Sequence, residues 1–281
     1  MRHSSGQNVG VSGENKIDMR MHEYLRMLRI GDWIKFYIAA PLAGALLAGA
    51  VPSRIILVFV IYFALIGYAF TVNNYFDVEI DRQHAGKMES NKNPLASGSV
   101  GRRGVVLMML IQIGIALISL EMSYLGFCLV LLNLILFTAY SGGIRLKEKF
   151  FLDIITHGLM FGAVPFLTGF ALSKGSIPPE ILLASSFPFI LGAEALIAHQ
   201  VVEYEEDVLS TRTTVTFIGR RNGLLLLGSA AVFSIILLMF MAGTKPLPFW
   251  AVTALGWYLL VYPAYSCRSL IRDFRHTPSA Q

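Results

Sequence analysis

Polar and apolar positions along this chain segregate into long blocks. A polar, aperiodic stretch over residues 1–22 is followed by eight apolar runs, at about 33–51, 54–76, 103–120, 123–141, 151–173, 179–202, 222–242 and 246–267. Each approaches the roughly 20 residues a helix needs to cross hydrocarbon. Their polar and apolar residues do not alternate strictly enough for barrel strands, and only helices and closed barrels satisfy their backbone in lipid. The pattern predicts an all-α polytopic membrane protein with eight transmembrane helices over residues 23–281. Residues 1–22 carry no apolar signal core and are expected to be a disordered N-terminal segment.

Composition agrees with the blocks. Of 281 residues, 55% are hydrophobic and 15% charged, whereas a soluble domain carries about 25% charged residues. Charge adds a direction. With eight spans, all of the 23 Lys and Arg residues except Arg54, Lys174 and Lys245 fall on one side. The positive-inside rule therefore predicts that both termini and the loops 82–102, 142–150 and 203–221 are cytoplasmic. The net charge of +5 is then accounted for by topology and anionic membrane lipids, and nucleic acid is not expected as a partner. Cys128 and Cys267 lie in apolar surroundings and are read as packing residues.

Two acidic patterns break the apolar blocks. Asn73, Asp77 and Asp81 close the second run at spacing i, i+4, i+8, which predicts one helical face. His199, Glu203 and Asp207 close the sixth run at the same spacing. The sets lie four spans apart, which predicts two parallel four-helix repeats around a central cavity, with a site between them. Facing sets of hard oxygen ligands suit magnesium, which favours a few carboxylates, waters and substrate phosphates. The nearby bases Arg82, Lys87, Lys92, Arg145, Lys147 and Arg212 suit a polyanion. A diphosphate on an apolar chain fits both surroundings. Lys35, one turn into the first run, either snorkels or touches that diphosphate. Glu79, Glu205 and Glu206 point away from the two faces, and Asn74 is off the first.

These residues resemble the UbiA superfamily of intramembrane prenyltransferases, over nearly the whole chain from about residue 24. The family's first motif, NDxxDxxxD, stands here as NNYFDVEID, giving Asn73, Asp77 and Asp81, with Asn74 where many members have Asp. NKNPLASG resembles the family's loop ending in a Pro-x-x-Ser-Gly turn. YSGGIRLK resembles its Tyr-Ser and Arg-x-Lys signature and gives Tyr140, Ser141, Arg145 and Lys147. The second acidic motif, DxxxD, stands as EYEED, with Glu203 and Asp207 in the acidic places. STRTTVTFIG is similar to the Arg-Thr and Leu-Gly tail. Two features depart from the family: Glu203 is one methylene longer than Asp, and the familiar fold has nine transmembrane helices.

The resemblance implies magnesium-dependent transfer of a prenyl group from an isoprenyl diphosphate to a lipophilic or aromatic acceptor. Asn73, Asp77, Asp81, Glu203 and Asp207 are the implied metal ligands. Lys35, Arg82, Lys92, Arg145, Lys147 and Arg212 are the expected diphosphate contacts, and Tyr140 would steady an allylic cation through its ring face. An intramembrane terpene cyclase would ionise the same diphosphate. A transporter is disfavoured because its acidic residues belong at the bilayer midplane, whereas these sit at one face. Among other polar residues, Asp153 is expected to cap the fifth helix and Asn133 to bond between helices. His199 is expected to bond a carboxylate, and His157 and Glu194, ionisable groups inside apolar runs, are candidates to orient or deprotonate an acceptor.

Overall fold

The computed structural model describes residues 21–83 and 88–244, with 257 and 261. Within these residues the fold is all helical, without strands. Among the described residues six helices are long and apolar enough to cross a bilayer. After a helical stretch over residues 21–27 and a single turn at Ile30–Trp33 comes a short helix, α1 (Ala39–Leu47). Then follow α2 (Pro52–Phe76), α3 (Val78–Gln83), α4 (Arg102–Glu121), α5 (Tyr124–Ser141), α6 (Leu152–Lys174) and α7 (Pro179–Val202). The chain continues through the short α8 (Tyr204–Ser210) and α9 (Thr214–Ile218) into α10 (Arg220–Thr244). Lys87, all of the expected eighth run but residues 257 and 261, and all but the last two residues of the 1–22 segment lie outside the described residues; residues 21 and 22 are helical.

The local sequence explains where the elements start. α2 opens on Pro52, whose missing N–H is no loss in a first turn. Ser123 caps α5 by accepting the Gly126 N–H at 3.2 Å. Thr213 and Thr216 form a reciprocal capping box at the head of α9. Within α6, residues Leu159–Ala163 form a π turn just ahead of Pro165. The proline ring would otherwise crowd the carbonyl four residues back, and the wider turn absorbs it.

α6 is the central helix, buried along nearly its whole length, while α10 is mostly exposed. α1 lies directly along the second half of α6. A Cβ on Gly44 would stand 2.0 Å from the Phe166 carbonyl oxygen, and one on Gly169 would stand 1.9 Å from that of Pro41. Backbones meet there, as small residues permit between membrane helices. Around this core, α2, α4, α5 and α10 expose large apolar side chains such as Ile56, Leu107, Ile135 and Phe233, which is the bilayer face of an integral, multi-pass membrane protein.

The first apolar run does not form the expected continuous span. It is a single turn at Ile30–Trp33, a turn stretch over 34–38, and the nine residues of α1. Arg29 adopts a left-handed conformation ahead of the first turn, and the Trp33 indole N–H bonds back to the Leu28 carbonyl at 2.7 Å. Irregular backbone at membrane depth is tolerated where it lines a cavity, and this segment does.

Candidate active site

A cavity of about 1380 Å³ runs through the bundle from a charged end to an apolar one. α2 and the α5–α6 turn supply Asn73, Asp77, Ser141, Arg145 and Lys147 to the charged end, and α7 and α8 supply His199, Glu203 and Asp207. Arg29, Asp32, Lys35 and Lys92 complete it. Farther in, the walls are largely apolar, with Leu47, Phe137, Phe161, Phe166, Phe170 and Leu191 among them, and Glu180 at the head of α7 is the charged exception.

The expected continuous acidic face over residues 73–81 is corrected by a break. α2 ends at Phe76, Asp77 has φ −95° and ψ 7°, and α3 starts at Val78. Asn73 and Asp77 line the cavity, whereas Asp81 does not. Asp81 is buried beneath it and accepts from Asn93 Nδ2 at 2.8 Å. The second motif breaks at the equivalent place: Glu203, between α7 and α8, has φ −90° and ψ 12°. The bonding repeats too. Asp77 N–H donates to Asn73 O at 3.0 Å and Glu203 N–H to His199 O at 2.9 Å; the Asp81 and Asp207 N–H groups return to Asp77 O and Glu203 O at 2.8 and 2.9 Å. The two motifs are thus the same hinge, built twice. They differ in register to the cavity, since Asp207 lines it and Asp81 does not.

Charge is balanced differently on the two hinges. Lys147 donates to Asp77 Oδ2 and, at 3.1 Å, to Asn73 Oδ1, which also accepts from Ser141 at 3.0 Å. Arg145 reaches Asp77 Oδ1 at 3.3 Å and Glu148 at 2.5 Å. Arg145 itself has φ 49°, a left-handed conformation that costs a non-glycine residue about 1–2 kcal/mol and turns the segment back over α2. Burial pushes the Lys147 pKa below the usual lysine range, against the pull of Asp77. Glu148 raises that of Arg145, and Arg145 lowers that of Glu148. On the second hinge His199 Nε2 meets Glu203 Oε2 at 3.3 Å, the carboxylate contact expected of it.

Other expected residues fall elsewhere. Arg82 bonds the Ala96 carbonyl and Glu79, Arg212 is exposed, and neither lines the cavity. Asp153 is not the cap of α6, a place held by Phe151. Fully buried, its carboxylate accepts from Ile154 N, Gln200 Nε2 and Thr214 N, each at 2.8 Å, and from the Thr214 hydroxyl. It clasps α6 to α7 and α9. Asn133 does bond between helices, donating to Met160 O at 3.3 Å. Glu194 turns from the cavity and accepts from Ser234 on α10. His157 lines the cavity with Tyr140.

Three participants escaped the sequence reading. Asn93 joins Asp81 to the Asn74 carbonyl and accepts from the Leu95 and Ala96 N–H groups. Its place before Pro94 marked a turn, but nothing marked its partner. Gln200 sits one turn before Glu203, on the same helical face. Tyr37 hides in an aromatic-rich apolar run, where its hydroxyl carries no local signal.

Hard oxygen donors from both hinges meet one cavity, which is donor chemistry suited to magnesium. Among the described residues no three His, Cys, Asp or Glu side chains form a closed metal-binding group. An ion held there would need waters and substrate phosphates among its ligands.

Comparison with known proteins gives concordant results. A family model described as the UbiA prenyltransferase family matches residues 37–273. Digeranylgeranylglyceryl phosphate synthase of Thermococcus gammatolerans is 25% identical over 248 residues, covering 86% of this chain and 83% of that protein. The synthase of the same name from Methanothermobacter thermautotrophicus is 30% identical over 199 residues, covering 68% of this chain and 63% of that protein. A UbiA homolog from Archaeoglobus fulgidus bound to DMAPP and Mg2+ superposes with a TM-score of 0.75 at 22% identity, over 86% of this chain and 85% of that one. The apo UbiA homolog from Aeropyrum pernix K1 gives 0.70 at 18% identity, over 84% and 90%. These solved structures share the fold.

Proposed function

This chain belongs to the UbiA prenyltransferase family, and from that premise we propose that it transfers a prenyl group from an isoprenyl diphosphate to the hydroxyl of a phosphate-bearing lipid inside the bilayer. The observation that carries the reading is that one cavity has both acidic hinges and Lys147 at one end and largely aromatic and aliphatic walls beyond. Its size supports an acceptor with a chain of its own, because drug-sized ligands fill only about 300–1,000 Å³. So do the further cations that line it, Lys35, Lys92 and Arg29, the last paired with Asp32 at 2.7 Å. The relatives named as digeranylgeranylglyceryl phosphate synthases point to a glyceryl phosphate ether as that acceptor.

Asn73, Asp77, Glu203 and Asp207 would hold magnesium, with Asp81 fixing the first hinge through Asn93. When bound, the ion stabilises negative charge developing on the departing diphosphate. The chain's own groups do the rest. Lys147 spends two of its three donors on Asn73 and Asp77 and offers the third to a phosphate oxygen. Arg145 adds a second charged donor from the same turn. The apolar walls keep water from the allylic fragment, and the face of Tyr140 steadies its positive charge. The matching hinges support the two-repeat arrangement, and the charge asymmetry supports placing the charged end in the cytoplasm.

The test is an assay of purified protein with magnesium, geranylgeranyl diphosphate and geranylgeranylglyceryl phosphate, with products identified by mass. We expect a doubly prenylated lipid and inorganic diphosphate, both abolished by a chelator and by Asp77→Asn. Turnover that survives a chelator would overturn the magnesium site. The absence of diphosphate release with every prenyl donor would overturn the transferase reading.

A further inference from the structure

Beyond the charged end, the cavity wall holds a tyrosine–histidine pair that the steps above leave without a task. His157 sits in α6, 6% exposed, and lines the cavity. Its Nδ1 stands 2.8 Å from the Gly192 carbonyl oxygen on α7. A carbonyl only accepts, so Nδ1 carries the ring proton and Nε2 keeps its lone pair. Nε2 faces the Tyr37 hydroxyl at 3.4 Å, and Tyr37 is therefore the donor in that contact. A phenolic oxygen that donates its proton is still able to accept, and Tyr37 lines the cavity too.

Packing fixes both rings. Tyr37 stacks on Phe161 with centroids 4.2 Å apart and planes 21° apart, and His157 lies 4.7 Å from Phe161 and 6.2 Å from Tyr140. Asp153, one turn earlier on α6, gives its carboxylate to α7 and α9. The imidazole is thus set as a neutral proton acceptor by a backbone carbonyl on α7.

We propose that Tyr37 and His157 together remove the proton of the acceptor hydroxyl. This rests on the transferase reading above and adds to it the residues that activate the nucleophile. The acceptor hydroxyl donates to the Tyr37 oxygen. As the acceptor oxygen forms its bond to C1 of the prenyl group, the bond from C1 to the diphosphate oxygen breaks and its electron pair leaves on the diphosphate. The acceptor's proton passes to the Tyr37 oxygen, and the Tyr37 proton passes to His157 Nε2. The products are the ether, inorganic diphosphate and an imidazolium that later returns its proton to water. Tyr37 touches the substrate; His157 acts through it. A contact of 3.4 Å is long for a resting hydrogen bond, and such contacts tighten when substrate fills the site.

Tyr37→Phe, which keeps the stacked ring, and His157→Gln separate this role from donor activation. Inorganic diphosphate and prenylated lipid are measured in the same reaction with geranylgeranyl diphosphate and geranylgeranylglyceryl phosphate. In the unsubstituted protein the two amounts should match. In both variants lipid product should fall by about 10²-fold, the effect of losing general-base help. Diphosphate release should continue, with the prenyl group recovered as its alcohol, and the acceptor KM should change little. A structural role would lower both products together. The proposal is overturned by Tyr37→Phe that still forms lipid product at the unsubstituted rate, or by variants in which both products fall in proportion. Failure of the unsubstituted protein to release diphosphate would overturn the parent reading instead.

Discussion

Lys147 reaches Asn73 and Asp77 from a buried position between α5 and α6, and burial lowers its pKa. The charged form is the one disfavoured, so Lys147 loses its proton at a lower pH than an exposed lysine. Donor kcat/KM, which reports the free enzyme, should fall as pH rises through that lowered value. Lys147→Arg keeps its charge to higher pH and should move the fall upward; an alkaline limb that stays in place would assign it to another group. Asp153 tests a different feature of a single residue. Its carboxylate accepts four donors with no cation beside it in that network. Asp153→Asn leaves the volume but turns one acceptor into a donor that faces other donors. A buried polar group left unsatisfied costs about 1–3 kcal/mol, so melting in detergent should occur several degrees lower, checked by thermal denaturation. Both residues were visible in the sequence as polar punctuation. Lys147 as a diphosphate contact was legible from the resemblance, whereas its bonds to Asn73 and Asp77 were not. The clasp of Asp153 was not, because Gln200 and Thr214 are distant in sequence.

At the scale of elements, the recurring device is the interrupted helix. Asp77 and Glu203 occupy matching hinges, and the first apolar run breaks into a turn stretch and α1. Helical periodicity placed Asn73, Asp77 and Asp81 on one face, but periodicity assumes continuous helix, and one residue out of register sent Asp81 beneath the cavity. α1 can be short because α6 supports it through backbone contact at Gly44 and Gly169. Gly169→Ala would set a methyl 1.9 Å from the Pro41 carbonyl oxygen, a backbone atom that cannot rotate away. Overpacking of this kind costs about 1–3 kcal/mol. Because α1 lines the cavity, the variant should both melt earlier and raise the donor KM. Earlier melting with unchanged KM would mean that α1 does not shape the donor site. Adding Gly44→Ala should cost less than a second independent substitution, since both press on the same helix pair.

For the whole molecule, charge, hydropathy and cavity share one axis. α2, α5 and α7 run toward the charged end, and α4, α6 and α10 run away from it, so the 88–101, 142–151 and 203–219 connections gather there. Single cysteines at Ser99 and Ser210, in a chain without Cys128 and Cys267, should be labelled by an impermeant thiol reagent from the same face, and one at Gly175 from the other. Labelling of Ser99 and Gly175 from the same face would sink the topology. The sequence by itself determined the membrane class, six of the spans nearly to their ends, and both acidic motifs with their basic turn, because apolar length and residue chemistry are local quantities. Only the tertiary structure decided that the first run is broken, that Asp81 supports rather than lines, that Arg82 and Arg212 stay outside, and that Tyr37 meets His157. Each of these depends on which distant backbone a residue packs against, and a helix in lipid takes its rotation and interruptions from its neighbours rather than from its own hydropathy.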